Sequence, residues 1–315
     1  MQGTSINAFS FSPKLDSCPA CGSASLSFWG VSQDADVSIA GFDHDQCAEC
    51  LTIFTNPRPL PDSLSRFYSR LEGRDDQAIV AASLKYYADP ARRAARIADY
   101  LEPLLAHRTS GRLLDFGCGA GWFAALARDA GFEVEGIEQM PAAVQAAREV
   151  LGLAAVRLGD ETDIPAEPTY DVIVSNNVIE HMADPADLAS RVRRALRPGG
   201  LWMLNFPSAD AEMFCAFGAA SYYFMTPYHL THFSEAGLKA LLERTGFDAV
   251  SFENQAEAFY WGRGLAASLG LQDSFERWRQ DAEFVRFDIA LDALLTRLAN
   301  TSGAALNQIC FAQAR

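Results

Sequence analysis

The segment Leu113-Leu-Asp-Phe-Gly-Cys-Gly-Ala-Gly-Trp122 leaves this chain few folds to choose from. An apolar run stops at three glycines set two residues apart, Gly117, Gly119 and Gly121, and a helical pattern, Phe123–Ala130, begins at once. Glycines in that place permit a tight turn and let a ligand approach the backbone, while the helix N-terminus offers unpaired N–H groups. Strands and helices alternate around it, the pattern of a sheet covered by helices. The predicted strands are Arg112–Phe116, Glu133–Ile137, Ala155–Leu158, Asp171–Ser175 and Leu201–Phe206, with two more at Ala249–Phe252 and Ala305–Phe311. Between them, Ala186–Leu196 carries Leu188, Val192 and Leu196 on one helical face, and Arg197-Pro-Gly-Gly200 ends it. Upstream, Asp89-Pro90 opens a helix whose apolar face is Ala94, Ile97, Ala98, Leu101 and Leu105.

A glycine-rich turn alone serves dinucleotides, phosphates and other ligands. Two acids narrow the choice. Asp115 precedes the glycines, where a carboxylate repels a pyrophosphate and attracts an ammonium; Glu138 closes the next strand, where an acid accepts hydrogen bonds from ribose hydroxyls. The bland readings are that Asp115 holds the turn together and that Glu138 is a solvated loop acid. A ligand with an ammonium, a carboxylate and a ribose but no phosphate describes S-adenosylmethionine.

On these residues the chain resembles the class I S-adenosylmethionine-dependent methyltransferases, from about Arg112 to Phe247 and again at the C-terminal end. The resemblance implies a Rossmann-like seven-stranded α/β sheet, and a cofactor site of Asp115, Gly117, Gly119, Gly121 and Glu138. Gly159-Asp160-Glu161-Thr-Asp-Ile-Pro165 is similar to the family's adenine-side loop, which implies Asp160 and its neighbour Glu161 near the adenine. Tyr170-Asp-Val-Ile-Val-Ser-Asn176-Asn-Val-Ile-Glu-His181 is similar to the fourth strand, which brings Asn176 to the site, with His181 more often structural than catalytic.

The seven cysteines form a second signal. Cys18-Pro-Ala-Cys21 and Cys47-Ala-Glu-Cys50 are two knuckles that can turn four sulfurs toward one ion, the tetrahedral set zinc prefers. With all four positions filled by cysteine, no place is left for a catalytic water, so the zinc reads as structural. The alternatives are a redox dithiol and a coincidence of spacing. Leu26–Trp29 and Asp36–Ile39 fit a short hairpin between the knuckles, His44 reads as a loop residue, and Cys118, Cys215 and Cys310 as packing residues. The second knuckle followed by Asn56-Pro-Arg-Pro59 and Phe67-Tyr68 is similar to the zinc module ahead of some bacterial methyltransferases, several of which act on nucleotide sugars or natural-product intermediates. The expected division is a zinc ribbon at 1–60, a helical connector at 61–110 and the catalytic domain at 111–315.

An acceptor that must lose a proton needs a base, and the aromatic segment after Asn205-Phe-Pro-Ser208 is the place to seek it. It runs through Met213-Phe-Cys-Ala-Phe217 to Tyr222-Tyr-Phe-Met-Thr-Pro-Tyr228-His-Leu-Thr-His232-Phe, and lines a pocket or packs as a lid. Tyr228, His229 and His232 resemble the tyrosine- and histidine-bearing segment of sugar C-methyltransferases, without that group's glutamate between the histidines. His232 or His229 is expected as general base, the alternative being that both hydrogen-bond the loop. A helical insertion at about 256–300, with Phe275, Trp278, Val285, Ile289 and Leu295 at helical spacing, covers the pocket, forms a homodimer face or packs on the core.

The charge works as a filter. Forty acids against 26 basic residues give a net charge of -14, which speaks against a broad basic surface for nucleic acid or anionic lipid. No apolar run approaches a membrane-spanning length and no signal peptide is evident, so a cytoplasmic location is expected. The expected activity is methyl transfer to a small molecule, a nucleotide sugar, glycan or secondary metabolite. Its rivals are O- or N-methylation of a phenolic or quinone-like compound, and a non-catalytic ribbon protein with a vestigial cofactor site.

Overall fold

The computed structural model describes residues 6–33, 38–221, 224–255 and 307–315, and within the insertion residues 265–266, 269, 271–278, 280–281, 283–284, 286–288, 290–291 and 294–295. Seven strands form the main sheet: β4 (Arg112–Phe116), β5 (Glu133–Glu138), β6 (Val156–Leu158), β7 (Tyr170–Asn176), β8 (Leu196–Pro207), β10 (Phe247–Gln255) and β11 (Asn307–Ala314). Their order is β10-β11-β8-β7-β4-β5-β6. The pairs from β6 across to β8 are parallel, and β11 runs antiparallel to both β8 and β10. Each strand predicted for this sheet has a counterpart among the described residues, several extended by residues that hydrophobic patterning misses, such as Gly199 and Gly200 in β8, while Ala305 and Leu306 lie outside the described residues.

Central strands buried on both faces read as continuous apolar runs. Leu113, Leu114, Val172, Ile173, Val174, Trp202, Met203 and Leu204 are all excluded from solvent, and Trp202 Nε1–H donates to Ser175 Oγ at 2.9 Å. Helix α6 (Pro185–Ala195) shows how the cover forms. Asp184 caps it by accepting from the N–H of Ala186 and Asp187, both at 3.0 Å, and Leu188, Ala189 and Val192 face the sheet. Truncating Leu188 to alanine would cost about 2–5 kcal/mol.

The N-terminal strands β1 (Leu26–Val31), β2 (Asp43–Cys47) and β3 (Ile53–Thr55) form a separate sheet. The hairpin differs from expectation. The partner of β1 is β2, not 36–39, of which Asp36 and Val37 lie outside the described residues. His44 is therefore a strand residue, fully buried, and not a loop residue. A fourth strand closes this sheet from far along the chain: β9 (Thr231–His232) pairs antiparallel with β3, Ile53 opposite His232 and Phe54 opposite Thr231.

Helix α1 (Pro61–Ala88), α2 (Pro90–Arg96) and α3 (Glu102–His107) connect the two sheets, with a π-turn at Ile97–Leu101 between the last two. Asp89 caps α2 through the N–H of Arg92, as the Asp-Pro signal implies. The insertion lies between β10 and β11 and includes a short helix, α9 (Gln272–Trp278), numbered after α4 (Trp122–Asp129), α5 (Pro141–Glu149), α7 (Glu212–Phe217) and α8 (Glu235–Arg244). Phe275 is buried against Phe284, whereas Val285 and Ile289 lie outside the described residues.

Candidate functional site

The turn from β4 into α4 is shaped by backbone that only glycine adopts readily. Gly117, Gly119 and Gly121 have φ of +72°, +53° and +81°. Space forbids a side chain as well. A Cβ at Gly117 would stand 2.6 Å from Val178 Cγ2, and one at Gly121 2.5 Å from Leu153 Cδ1. Glu138, at the C-terminal end of β5, ties the turn to its neighbour by accepting from the N–H of Gly119 and of Met140, each at 2.8 Å.

Beside this turn opens a cavity of about 240 Å³. Of the residues expected at the site, Asp115, Gly117, Gly119 and Asn176 line it, together with Cys118 and Asn177, whereas Gly121 and Glu138 do not. Asp115 is 2% exposed, and its Oδ2 has no hydrogen-bond partner among the described residues. Burial raises its pKa to about 7; the Ala124 N–H opposes that shift and the charge of Glu138 adds to it. The site is thus ready to gain from a cation, which would repay ionisation of the buried acid.

Sequence reasoning missed part of the lining. Tyr86 of α1, Arg96 of α2, Tyr100 and Trp122 also line the cavity. The Arg96 guanidinium lies 4.3 Å from the Tyr86 ring centre, 5.1 Å from Tyr100 and 5.6 Å from Trp122. These are cation–π distances, so the guanidinium is held among three aromatic rings at the cavity. Trp122 was visible as the residue after the last glycine, but nothing local marks Tyr86 or Arg96 as partners of a turn over twenty residues away. A cavity lined by both an acid and a guanidinium suits a zwitterion.

Asp160 and Glu161 lie apart from the cavity lining, past the end of β6. Asp160 is exposed and caps a 3₁₀ turn, accepting from the N–H and hydroxyl of Thr162 at 2.8 and 2.6 Å, while Asp163 accepts from the Asp160 N–H. Those bonds, the side chain's hydroxyl contact first, lower its pKa. β6 sits against β5, and the Gly159 N–H donates to the Glu138 carbonyl at 3.0 Å, so this loop shares a rim with Glu138.

The four cysteines of the two knuckles converge. Their sulfurs lie within 4.8 Å of one another, with Cys18 Sγ 3.7 Å from Cys50 Sγ and Cys21 Sγ 3.5 Å from Cys47 Sγ. A disulfide needs about 2.05 Å. A tetrahedron of sulfurs about 2.3 Å from a zinc ion has edges of about 3.8 Å, so the donor set fits zinc. Cys118 and Cys310 are buried packing residues, as expected; the Cys215 side chain lies outside the described residues.

The histidine segment divides. His232 is fully buried in β9, stacked on Phe224 with ring centres 4.4 Å apart, and both its ring nitrogens lack a hydrogen-bond partner among the described residues. Burial pushes its pKa well below the ordinary value, with His44 and His181 adding to the shift. His229, also buried, turns instead toward His181, ring centres 4.9 Å apart. Tyr228 packs edge-on against Phe67 and its carbonyl accepts from His181 Nδ1–H at 2.8 Å. Tyr222 and Tyr223 lie outside the described residues, as does the Met213 side chain.

A mixed sheet of this order, with a glycine turn after its first strand and an acid after its second, defines a Rossmann-like methyltransferase domain with an N-terminal four-cysteine ribbon. A family profile described as a methyltransferase domain matches residues 90–251, and the chain belongs to that family. It is 34% identical over 164 residues to a protein of Mycolicibacterium smegmatis named "Probable S-adenosylmethionine-dependent methyltransferase", covering 51% of this chain and 60% of that one. It is 37% identical over 131 residues to an uncharacterized methyltransferase of Mycobacterium sp. (strain KMS), covering 38% and 51%. The chain thus spans between half and two thirds of the length of these relatives. A solved S-adenosylmethionine-dependent methyltransferase from Mesorhizobium loti superposes with a TM-score of 0.48 at 17% identity, covering 70% of this chain and 99% of that one. Among the described residues no helix is long and apolar enough to cross a membrane.

Proposed function

We propose that the protein transfers a methyl group from S-adenosylmethionine to a small-molecule acceptor. The observation that carries this reading is the cavity at the glycine turn, lined by both the buried Asp115, whose Oδ2 lacks a hydrogen-bond partner among the described residues, and Arg96. Asp115 would take the cofactor's ammonium and Arg96 its carboxylate, with Glu138 at the ribose and the Asp160–Glu161 loop on the adenine side. Methyl transfer is a displacement at a sulfonium whose leaving group needs no proton. Positioning therefore supplies most of the help, an effect worth up to about 7–11 kcal/mol in well-oriented reactions.

Acceptor activation, where the acceptor must lose a proton, falls on this reading to the Tyr228–His229 segment. His229 faces His181 next to the end of β7, whereas the His232 ring is held inside the ribbon seam. The four cysteines would hold a structural zinc, residues 1–60 acting as the ribbon, 61–110 as connector and 111–315 as the catalytic domain. The similarity of ribbon and histidine segment to bacterial sugar and natural-product enzymes favours a nucleotide sugar, glycan or secondary metabolite as acceptor. Incubation with methyl-labelled cofactor and fractionated cell extract tests the reading: a labelled small molecule is expected. Label on no small molecule, in a protein that binds the cofactor, would favour the vestigial-site alternative.

A further inference from the structure

Beyond the cofactor cavity, a second buried polar cluster remains without a task. Glu180 follows β7 by four residues; it is fully buried and neither carboxylate oxygen has a hydrogen-bond partner among the described residues. A buried carboxylate left unpaired is costly, so native structures pair it, protonate it or give it to a metal. Its neighbours are two imidazoles. His181 Nε2 stands 4.0 Å from Glu180 Oε1, and one ligating atom each from Glu180, His181 and His229 can be chosen so that all three lie within 4.8 Å of one another.

The surroundings prepare those atoms for a cation. His181 donates Nδ1–H to the Tyr228 carbonyl at 2.8 Å, which leaves Nε2 as the acceptor of the neutral ring, turned toward Glu180. Metal-binding histidines almost always give their other ring N–H to a carbonyl or carboxylate in this way. The Leu230 N–H donates to the Glu180 carbonyl at 2.8 Å, so the segment after β7 and the segment carrying His229 are pinned together. His181 keeps 32% of its side chain exposed and gives the cluster an open side. The cluster also adjoins the cofactor cavity: Asn176 and Asn177 line that cavity, and Val178 packs over Gly117.

We propose that Glu180, His181 and His229 form a binding site for a divalent transition-metal ion, distinct from the ribbon's cysteine set. Two imidazoles and one carboxylate suit first-row ions such as manganese, iron, cobalt or zinc, and leave coordination positions open. Resting on the methyltransferase reading, the ion would bind an acceptor hydroxyl oxygen and lower its pKa so that its proton passes to water before the oxygen takes the methyl, His229 then serving as ligand in place of general base.

The test uses the full-length protein with its ribbon loaded with zinc, titrated with Co²⁺ by calorimetry and visible spectroscopy. The expected result is one Co²⁺ per chain above the ribbon's zinc, with the weak bands of nitrogen and oxygen ligands and no thiolate charge transfer. Glu180→Gln and His181→Gln should each weaken it at least about 10-fold while S-adenosylhomocysteine binding is retained. Absence of that second equivalent in the wild-type protein, or an unchanged affinity in a variant that still binds S-adenosylhomocysteine, overturns the site. The two readings fail separately. Cofactor binding without Co²⁺ refutes the metal alone, and Co²⁺ binding without the cofactor refutes the cofactor reading alone.

Discussion

Asp115 in the cofactor cavity and His44 in the ribbon seam are both shut away from solvent, and burial moves them in opposite directions. Asp115 rises to about 7 and His44 falls to about 3, desolvation being the largest cause in each case. Both are thereby held toward their neutral forms, but the two serve different ends. His44 is matched at once by hydroxyl groups, with Thr55 Oγ1 and Thr226 Oγ1 each 3.4 Å from one of its ring nitrogens, and by the edge-on Phe224 ring. Asp115 keeps an oxygen unpartnered toward a cavity. His44 has both ring nitrogens matched from within the seam, whereas Asp115 holds one oxygen back.

The largest expected effect separates the two regions. On the proposed zinc reading, Cys47→Ser should abolish metal binding by the ribbon, a contribution worth about 10–16 kcal/mol in small structural sites. Because β9 is paired with β3, the loss should spread to the His229 segment and leave the glycine turn folded. Hydrogen exchange should show protection lost in residues 43–55 and 229–233 but kept in β4. Loss of protection in β4 to the same extent would erase the distinction.

Arg58 clamps the seam. It is buried, donates to the carbonyls of Met182 and Ala183 and reaches Thr231 Oγ1 at 2.7 Å. Arg58→Ala removes the partner of the buried Thr231 hydroxyl and of two carbonyls and should cost about 1–3 kcal/mol in urea unfolding. Unfolding unchanged within about 0.5 kcal/mol would mean that the seam contributes little.

The opposed pKa shifts give a pH test. Asp115 has a folded pKa above its ordinary 3.8, so between about pH 4 and 7 the folded state holds more protons than the unfolded one and stability falls as pH rises. His44 has a folded pKa below its ordinary 6.5, so between about pH 3 and 6.5 the unfolded state holds more protons and stability rises with pH. Each group alone sets a slope of at most about 1.4 kcal/mol per pH unit. Relative to the wild-type protein, Asp115→Asn should therefore make stability rise more steeply with pH below about 6.5, and His44→Gln less steeply. Matching pH profiles in the two variants would break the comparison. The smallest effect is expected at the exposed Asp160, whose replacement by asparagine keeps the loop's cap and should shift S-adenosylhomocysteine affinity less than about 5-fold, a difference of about 1 kcal/mol.

What the sequence disclosed follows the same division. The glycine turn occupies ten consecutive residues, and the strands around it carry their own apolar patterns, so sheet, turn, Asp115 and Glu138 were legible from local signals. The four cysteines were legible because knuckle spacing is local too, although the hairpin between them was misplaced by a few residues. The seam was not. His44 meets Thr226, Thr52 meets Ser234 and β3 meets β9 across more than 170 residues, and no periodicity records such a pairing. Arg96 and Tyr86 escaped notice for the same reason, as helical residues whose purpose depends on where the helix lands. Glu180 sat within a quoted motif, yet only burial distinguishes an orphaned carboxylate from a solvated one.

The central claim is that the glycine turn and Asp115 hold S-adenosylmethionine, and calorimetric titration with S-adenosylhomocysteine tests it most directly. The account predicts one equivalent bound per chain, weakened about 10-fold or more by Asp115→Asn, as expected for loss of a charge-assisted hydrogen bond. No binding to the wild-type protein, or binding that Asp115→Asn leaves unchanged, would contradict it.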